Sequence, residues 1–311
     1  MSELAPIGVS TYTRLEHLKK TISALQLNTL AKQSHLFIFS DAPKQGDEEK
    51  VRKVREYLHT IDGFKKVIIL ERKVNSRIKN NRGGIKQLLD ESGQCIFMEE
   101  DVVTAPGFLD FMNKALLFYK DSENILSVTG YGLPINTQKI KTDSFVLPRF
   151  NAWGFGIWKD RFEEINYIDR EEYLSFFDNK VAVKNLITGG GEDMLAMLES
   201  ESKGEIDALD VKAMFHQYKN NMLTVYPKNS LVQNIGHDGS GIHCGATDKF
   251  YHDFLWDKVS DFKFDNNPKV DEKISKANYN FRKLGYKTKF KVILRRIGIY
   301  PLFKILKGII K

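Results

Sequence analysis

Cysteine is scarce: the 311-residue chain has two, Cys95 and Cys244. That excludes a disulfide scaffold and a zinc site built on several thiolates, and it fits a reducing compartment. No uninterrupted apolar stretch reaches the ~18 residues of a membrane helix, so no ordinary span is expected. The segment from Met1 to Gly8 lacks a charged start followed by an apolar run, so no cleaved secretory leader is expected. Neither a Gly-x-x-x-x-Gly-Lys-Ser/Thr loop nor a Gly-x-Gly-x-x-Gly after the first strand occurs, so neither an ATPase cradle nor a dinucleotide fold is signalled. Acidic residues are missing from 273–311, which holds twelve Lys or Arg and no Asp or Glu. The other 272 residues carry the remaining 35 basic side chains against all 40 acidic ones, a net charge of −5. A mildly acidic body with a basic appendage excludes a nucleic-acid groove spread over the fold.

What is present is enough for a large core: 42% of residues are apolar and 28% charged. The length suits one large α/β domain with additions, or two domains. Over the first 130 residues, strand and helix signals alternate. Ile7–Ser10, His35–Ser40, Val67–Leu70, Cys95–Met98 and Ile125–Thr129 read as strands. Helical spacing appears over Arg14–Leu30, Glu48–Leu58 and Phe108–Tyr119, and Gly84–Leu89 lies on a further helix. Continuous apolar strands alternating with helices predict a mostly parallel sheet covered on both faces. Ligands of such sheets bind beyond the carboxyl ends of the strands. The residues there are polar: Thr11, Tyr12 and Arg14 after the first strand, Ser40 and Asp41 after the second, Glu71 and Arg72 after the third, and Glu99-Glu100-Asp101 after the fourth.

Three consecutive carboxylates at a buried strand end repel one another unless a cation is present. Oxygen ligands suit Mg²⁺ or Mn²⁺. If the extended backbone persists, Glu99 and Asp101 point one way and Glu100 the other. The plainer alternative is that these residues open a loop and cap the helix near Pro106.

In order along the chain, Thr11 to Leu18, Phe97-Met98-Glu99-Glu100-Asp101, Pro106-Gly107-Phe108-Leu109, Trp153-Gly154-Phe155-Gly156-Ile157-Trp158 and Gly191-Glu192-Asp193 resemble the motifs of inverting A-fold (GT-A) glycosyltransferases. The likeness is family 2-like, similar to N-acetylglucosaminyltransferase I and bacterial relatives, and it covers most of residues 5–245. It departs at Glu100, where many members have Asp. The resemblance implies a GT-A, Rossmann-like α/β domain over 1–245, with a donor-binding half of about 1–130 and an acceptor half of about 131–245. Residues 246–311 are then a C-terminal extension ending in a basic amphipathic helical tail.

The activity implied is metal-dependent, inverting transfer of a hexosyl or N-acetylhexosaminyl group. The donor would be a nucleotide-diphosphate sugar, with UDP the commonest nucleotide. The acceptor would be a saccharide or lipid-linked saccharide, as in surface polysaccharide or glycan synthesis. Asp101 would bind Mn²⁺ or Mg²⁺, with His237 and His243 as candidate further ligands. Glu99 and Glu100 would face the donor sugar, the ribose or metal-bound water. Thr11, Tyr12, Arg14 and Asp41 would line the nucleoside pocket. Asp193 would be the general base, with Glu192 as the other candidate, although an Asp after three glycines is also a good helix N-cap. Trp153, beside Gly154, is the candidate exposed platform for the acceptor sugar.

Two other readings remain open. A nucleotidyltransferase forming nucleotide sugars should show a glycine-rich loop with Arg and Lys after the first strand, which Thr11–Leu18 does not. A non-catalytic sugar-binding protein has no need of both acidic motifs. The tail from about Lys287 mixes Phe290, Ile293, Leu294 and Ile297 with Lys289, Arg295 and Arg296. That pattern, broken by Gly298 and Pro301, predicts an interfacial segment on an anionic membrane, hence a peripheral cytoplasmic-face location. The alternative is a helix packed back on the domain.

Overall fold

The structure is a computed structural model that describes residues 4–165, 170–240, 247–253, 255–286, 289–290 and 294. Among the described residues ten strands are formed: β1 (Ile7–Thr11), β2 (His35–Ser40), β3 (Lys66–Glu71), β4 (Gln94–Glu99), β5 (Val102–Thr104), β6 (Ile125–Thr129), β7 (Ser144–Leu147), β8 (Phe155–Trp158), β9 (Leu223–Pro227) and β10 (Val232–Asn234). The helices are α1 (Leu15–Gln26), α2 (Glu48–Leu58), α3 (Arg77–Ser92), α4 (Phe108–Phe118), α5 (Lys159–Ile165), α6 (Arg170–Asp178), α7 (Lys180–Gly190), α8 (Glu192–Ser202), α9 (Leu209–Asn220) and α10 (Glu272–Phe281).

Eight strands make one sheet in the order β3-β2-β1-β4-β8-β6-β9-β7. Strands β3, β2, β1 and β4 are mutually parallel. β8 runs antiparallel between β4 and β6, β9 is parallel to β6, and β7 is antiparallel to β9. The expected mostly parallel, helix-covered α/β sheet is therefore present, with two strands reversed. The insertion of β8 carries the aromatic-glycine segment into the middle of the sheet. β5 and β10 pair separately as a short antiparallel ribbon, with Asn234 opposite Val102.

β1 is buried along its whole length because helices cover both faces. Gly8 is needed there: a Cβ would lie 2.6 Å from Phe97 and 2.7 Å from Leu88. α1 buries Leu18, Ile22 and Leu25, the apolar stripe read from the sequence. It stops at Gln26, short of Leu30. Asn28 turns the chain, donating to the Ala24 carbonyl and to Thr104 Oγ1 while its Oδ1 accepts from the backbone N–H of Leu109. One side chain thus ends α1 and caps α4. Phe108, the first residue of α4, fills space above Gly130 and Gly154 and is fully buried; its truncation to Ala would cost about 3–5 kcal/mol.

Helices α6 to α9 form a smaller core around Tyr173, Phe176, Leu198, Met214 and Phe215. At the carboxyl end of the chain, Leu294 is buried and Lys289 ion-pairs with Glu192 at 2.9 Å. The rest of the predicted membrane-facing tail, 287–311, lies outside the described residues. No helix among the described residues is long and apolar enough to cross a membrane.

Candidate functional site

Because β1 to β4 are parallel, their carboxyl ends open on one edge. There they line a cleft of about 270 Å³ that includes Thr11, Tyr12, Arg14, Asp41, Glu99, Glu100, Asp101 and Trp153. Eight residues singled out in the sequence are thus brought together.

β4 ends at Glu99, and Glu100-Asp101 form a turn, so the extended alternation does not continue. Glu99 accepts from Asn81 Nδ2 on α3 at 2.9 Å. Arg14 instead gathers the other two carboxylates, with Nε 2.8 Å from Glu100 and Nη2 2.7 Å from Asp101 Oδ2. Burial pushes Glu100 up to about 7, with Arg14 working against it and Asp101 and Glu99 adding to it. Burial also raises Glu99, and the negative charge of Asp101 adds to the rise. The Arg14 guanidinium is raised: its two carboxylates outweigh the opposing effect of burial. Arg14 is therefore a counter-charge for the acidic turn, in addition to lining the cleft.

Asp41 is buried and its Oδ1 accepts from the backbone N–H groups of Ala42 and Ser76. It joins the loop after β2 to the start of α3, where the Ser76 side chain caps the helix by accepting from Lys79 N. The Tyr12 hydroxyl donates to Asp47 and accepts from the backbone N–H of Lys44.

Among the described residues, Asp101 Oδ1 and Thr11 Oγ1 are buried without a partner. Next to Asp101, both ring nitrogens of His237 are also buried without partners. Burial lowers His237 against the pull of Asp101, which favours the neutral imidazole that binds metals. The unpartnered carboxylate oxygen suits Mg²⁺ or Mn²⁺, and the neutral imidazole beside it favours Mn²⁺ of the two. Among the described residues, no group of three His, Cys, Asp or Glu could hold a metal by itself. His243 lies outside the described residues.

Sequence reasoning missed the far wall. Lys44, Asn75, Arg77, Asn80, Asn81, Asn234 and Gly236 also line the cleft. Gly236 approaches so closely that a Cβ would sit 2.1 Å from Asp101 Oδ2. The Ile235 N–H donates to the Asp101 carbonyl at 2.8 Å.

A second hollow of about 200 Å³ shares Arg77, Asn81, Glu99 and Trp153 with the cleft and extends to Asp207 and Asp210. Trp153 is half-buried, not an exposed platform. Tyr131, His237 and Phe250 meet it edge-on, with ring centroids 4.7, 5.3 and 5.3 Å away. Gly154, at φ 63°, is packed against Phe108 and Val232.

Glu192 and Asp193 are not in the lining of either hollow. Glu192 accepts from Leu284 N, the Tyr279 hydroxyl and Lys289 Nζ. Asp193 is gripped by Arg149, whose Nη1 and Nη2 lie 2.9 and 2.8 Å from its two oxygens. Burial works to raise Asp193, but Arg149 and Arg282 outweigh it and hold the carboxyl below its ordinary value.

No protein-family model matches the sequence, and no curated protein matches it. Among solved structures, the mannosyltransferase PcManGT from Pyrobaculum calidifontis, in complex with GDP-Man and Mn²⁺, is similar over 52% of this chain and 46% of that one, at 12% identity and a TM-score of 0.37. S. aureus TarS 1–349 is similar over 76% of this chain and 61% of that one, at 12% identity and a TM-score of 0.42. TarS 1–349 in complex with UDP-GlcNAc is similar over 52% and 47%, at 13% identity and a TM-score of 0.34. The chain spans less than two thirds of the length of each of these structures.

Proposed function

We propose that the protein is a metal-dependent, inverting glycosyltransferase that uses a nucleotide-diphosphate sugar, with UDP as the nucleotide. The observation that carries this reading is the buried, unpartnered Asp101 Oδ1 beside the neutral His237, at the carboxyl edge of four parallel strands. An unmet buried carboxylate oxygen is costly and calls for a cation.

In this reading Thr11, Tyr12 and the Asp41 loop hold the nucleoside. Asp101 and His237 hold Mn²⁺ or Mg²⁺, which when bound supplies positive charge to the leaving diphosphate. Arg14 keeps the acidic turn in place, and Lys44 and Arg77 add positive charge to the cleft. Glu99, fixed by Asn81, faces the second hollow, where the donor sugar fits. The acceptor, a saccharide or lipid-linked saccharide, lies against Trp153 and extends beyond the two hollows to Asp193, which would take its hydroxyl proton. A carboxylate held below its ordinary value is a weak base at rest, so proton transfer accompanies attack and does not precede it. Glu192, engaged with the chain after α10, positions that segment. The basic tail brings the enzyme to an anionic, cytoplasmic-face membrane surface, which suits an acceptor carried on a lipid.

The test is thermal stability with UDP-, GDP- and dTDP-sugars, with and without Mn²⁺. A ligand at a hundredfold excess over its Kd stabilises the native state by about 2.7 kcal/mol. The expected result is a Mn²⁺-dependent rise with a UDP-sugar. Absence of any rise removes the reading. Binding without donor hydrolysis or transfer would leave a sugar-nucleotide binding protein, and pyrophosphate release from a nucleoside triphosphate would make it a nucleotidyltransferase.

A further inference from the structure

Asp193 stands in a cluster with more positive than negative charge. Arg149 grips both its oxygens, and Arg282, just after α10, has Nη1 3.6 Å from Oδ2. Lys249 borders the cluster: its Nζ lies 5.0 Å from the ring centroid of Phe281, the residue before Arg282, and it is lowered by burial, with Asp193 opposing and Arg282 and Arg149 reinforcing. Arg149 also acts on Asp210, which burial raises. Arg282 itself is brought down to about 10, by burial first and then by repulsion from Arg149, against the pull of Asp193.

Among the described residues, two polar groups in this cluster are buried with nothing to bond. Arg282 is 4% exposed; its Nε donates to Asn278 Oδ1, while Nη2 has no partner. Tyr131 is fully buried, its hydroxyl has no partner, and it feels both Arg282 and Arg149. A buried donor left unmet costs about 1–3 kcal/mol, and more when it is charged. An uncompensated buried cation costs more still.

The arrangement is also built to close tolerance. A Cβ on Gly191, at φ 108°, would lie 2.8 Å from Arg282 Cβ, 2.8 Å from Asp193 Oδ1 and 3.0 Å from Arg149 Nη1. The cluster is reachable, because the Asp193 side chain is 31% exposed and Lys249 lies on the surface. It adjoins the cleft through Trp153, which packs on Tyr131 and, by way of Phe250, reaches Phe281 next to Arg282.

We propose that Arg149, Arg282, Lys249 and Tyr131 form a subsite for an anionic oxygen group, a carboxylate or a phosphate, on the acceptor saccharide. The role given to the acceptor rests on the glycosyltransferase reading; the anion site itself does not. An acidic acceptor bound there has its charge met by the two arginines and the lysine. Its neighbouring hydroxyl is placed beside Asp193, so the subsite selects charged over neutral acceptors.

The experiment is calorimetric titration of the full chain with glucuronate, inorganic phosphate and glucose, with and without UDP and Mg²⁺. One or both anions should bind and glucose should not; glucuronate alone assigns a carboxylate, and phosphate alone a phosphate. Lys249→Gln should weaken the anion about tenfold, the loss of one charge-assisted hydrogen bond, and Arg282→Gln more. Lys249 is exposed, so that variant keeps the test decisive if Arg282→Gln fails to fold. Failure of both anions to bind, or wild-type affinity in Lys249→Gln, overturns the proposal. UDP binding is read separately: its absence removes the glycosyltransferase reading and leaves the anion result standing.

Discussion

Replacing Gly236 with Ala tests the site through its tightest contact. The added Cβ would meet Asp101 Oδ2 at 2.1 Å, Asp101 Cγ at 2.9 Å and Arg14 Nη1 at 3.0 Å. Relief to ordinary contact requires a shift of roughly 1 Å. The backbone around Asp101 cannot supply it easily, because Ile235 N–H is bonded to the Asp101 carbonyl and β5 is paired with β10. The carboxylate must therefore rotate away, breaking its 2.7 Å pair with Arg14. Losing one partner of a buried pair costs about 3–5 kcal/mol; Arg14 retains Glu100, so the lower end applies and Tm should fall by several degrees. A misplacement of this size at a reacting centre costs about 10²-fold in rate. UDP binding should lose its Mn²⁺ dependence, read by calorimetry with and without the metal. Gly285→Ala, where nothing among the described residues lies within 4 Å of the added carbon, should leave Tm and binding unchanged. Gly236→Ala protein that keeps wild-type, metal-dependent UDP binding would refute the assignment of Asp101.

Asp193→Asn should lower kcat by about 10²–10⁴ with UDP affinity unchanged; wild-type turnover would remove it as the base. Because its folded carboxyl is held below the ordinary Asp value, the stability Asp193 contributes is complete above that value and disappears as pH falls through the lower one. The Tm gap between wild type and Asp193→Asn should thus be constant at neutral pH and close on strong acidification, and a gap growing toward low pH would contradict the pairing with Arg149. Burial raises the Cys95 thiol well above its usual range, so iodoacetamide at pH 8 should label Cys95 only after denaturation, as mapped by mass spectrometry; rapid native labelling would show that the β4 core opens. A chain ending at Tyr286 should float less with anionic liposomes than the full chain at low salt, and equal recovery would rule out the tail as the anchor.

The sequence by itself determined the layering and one edge of the site. Segments such as Ile7–Ser10 and Cys95–Met98 are short apolar runs between helical periods, and that local pattern is what a helix-covered parallel sheet requires. Parallel strands open at one end, so Thr11, Asp41 and Glu99–Asp101 could be placed together before any contact was known. The tertiary structure alone decided the rest. Gly236 reaches Asp101, Asn28 caps α4, and Arg149 and Arg282 enclose Asp193, all between residues 44 to 135 positions apart in the chain. No local period marks such a pair, because each partner is an ordinary polar residue or glycine in its own segment. The reversal of β8 between β4 and β6 is of the same kind: its four residues are apolar in either direction, and its place is set by packing, with Gly156 against Met112 and Leu116 on α4 and Phe155 against Phe97 and Phe150. Local sequence specifies burial and period, whereas the partner of a buried charge is chosen by which surfaces the packed core brings within hydrogen-bonding distance.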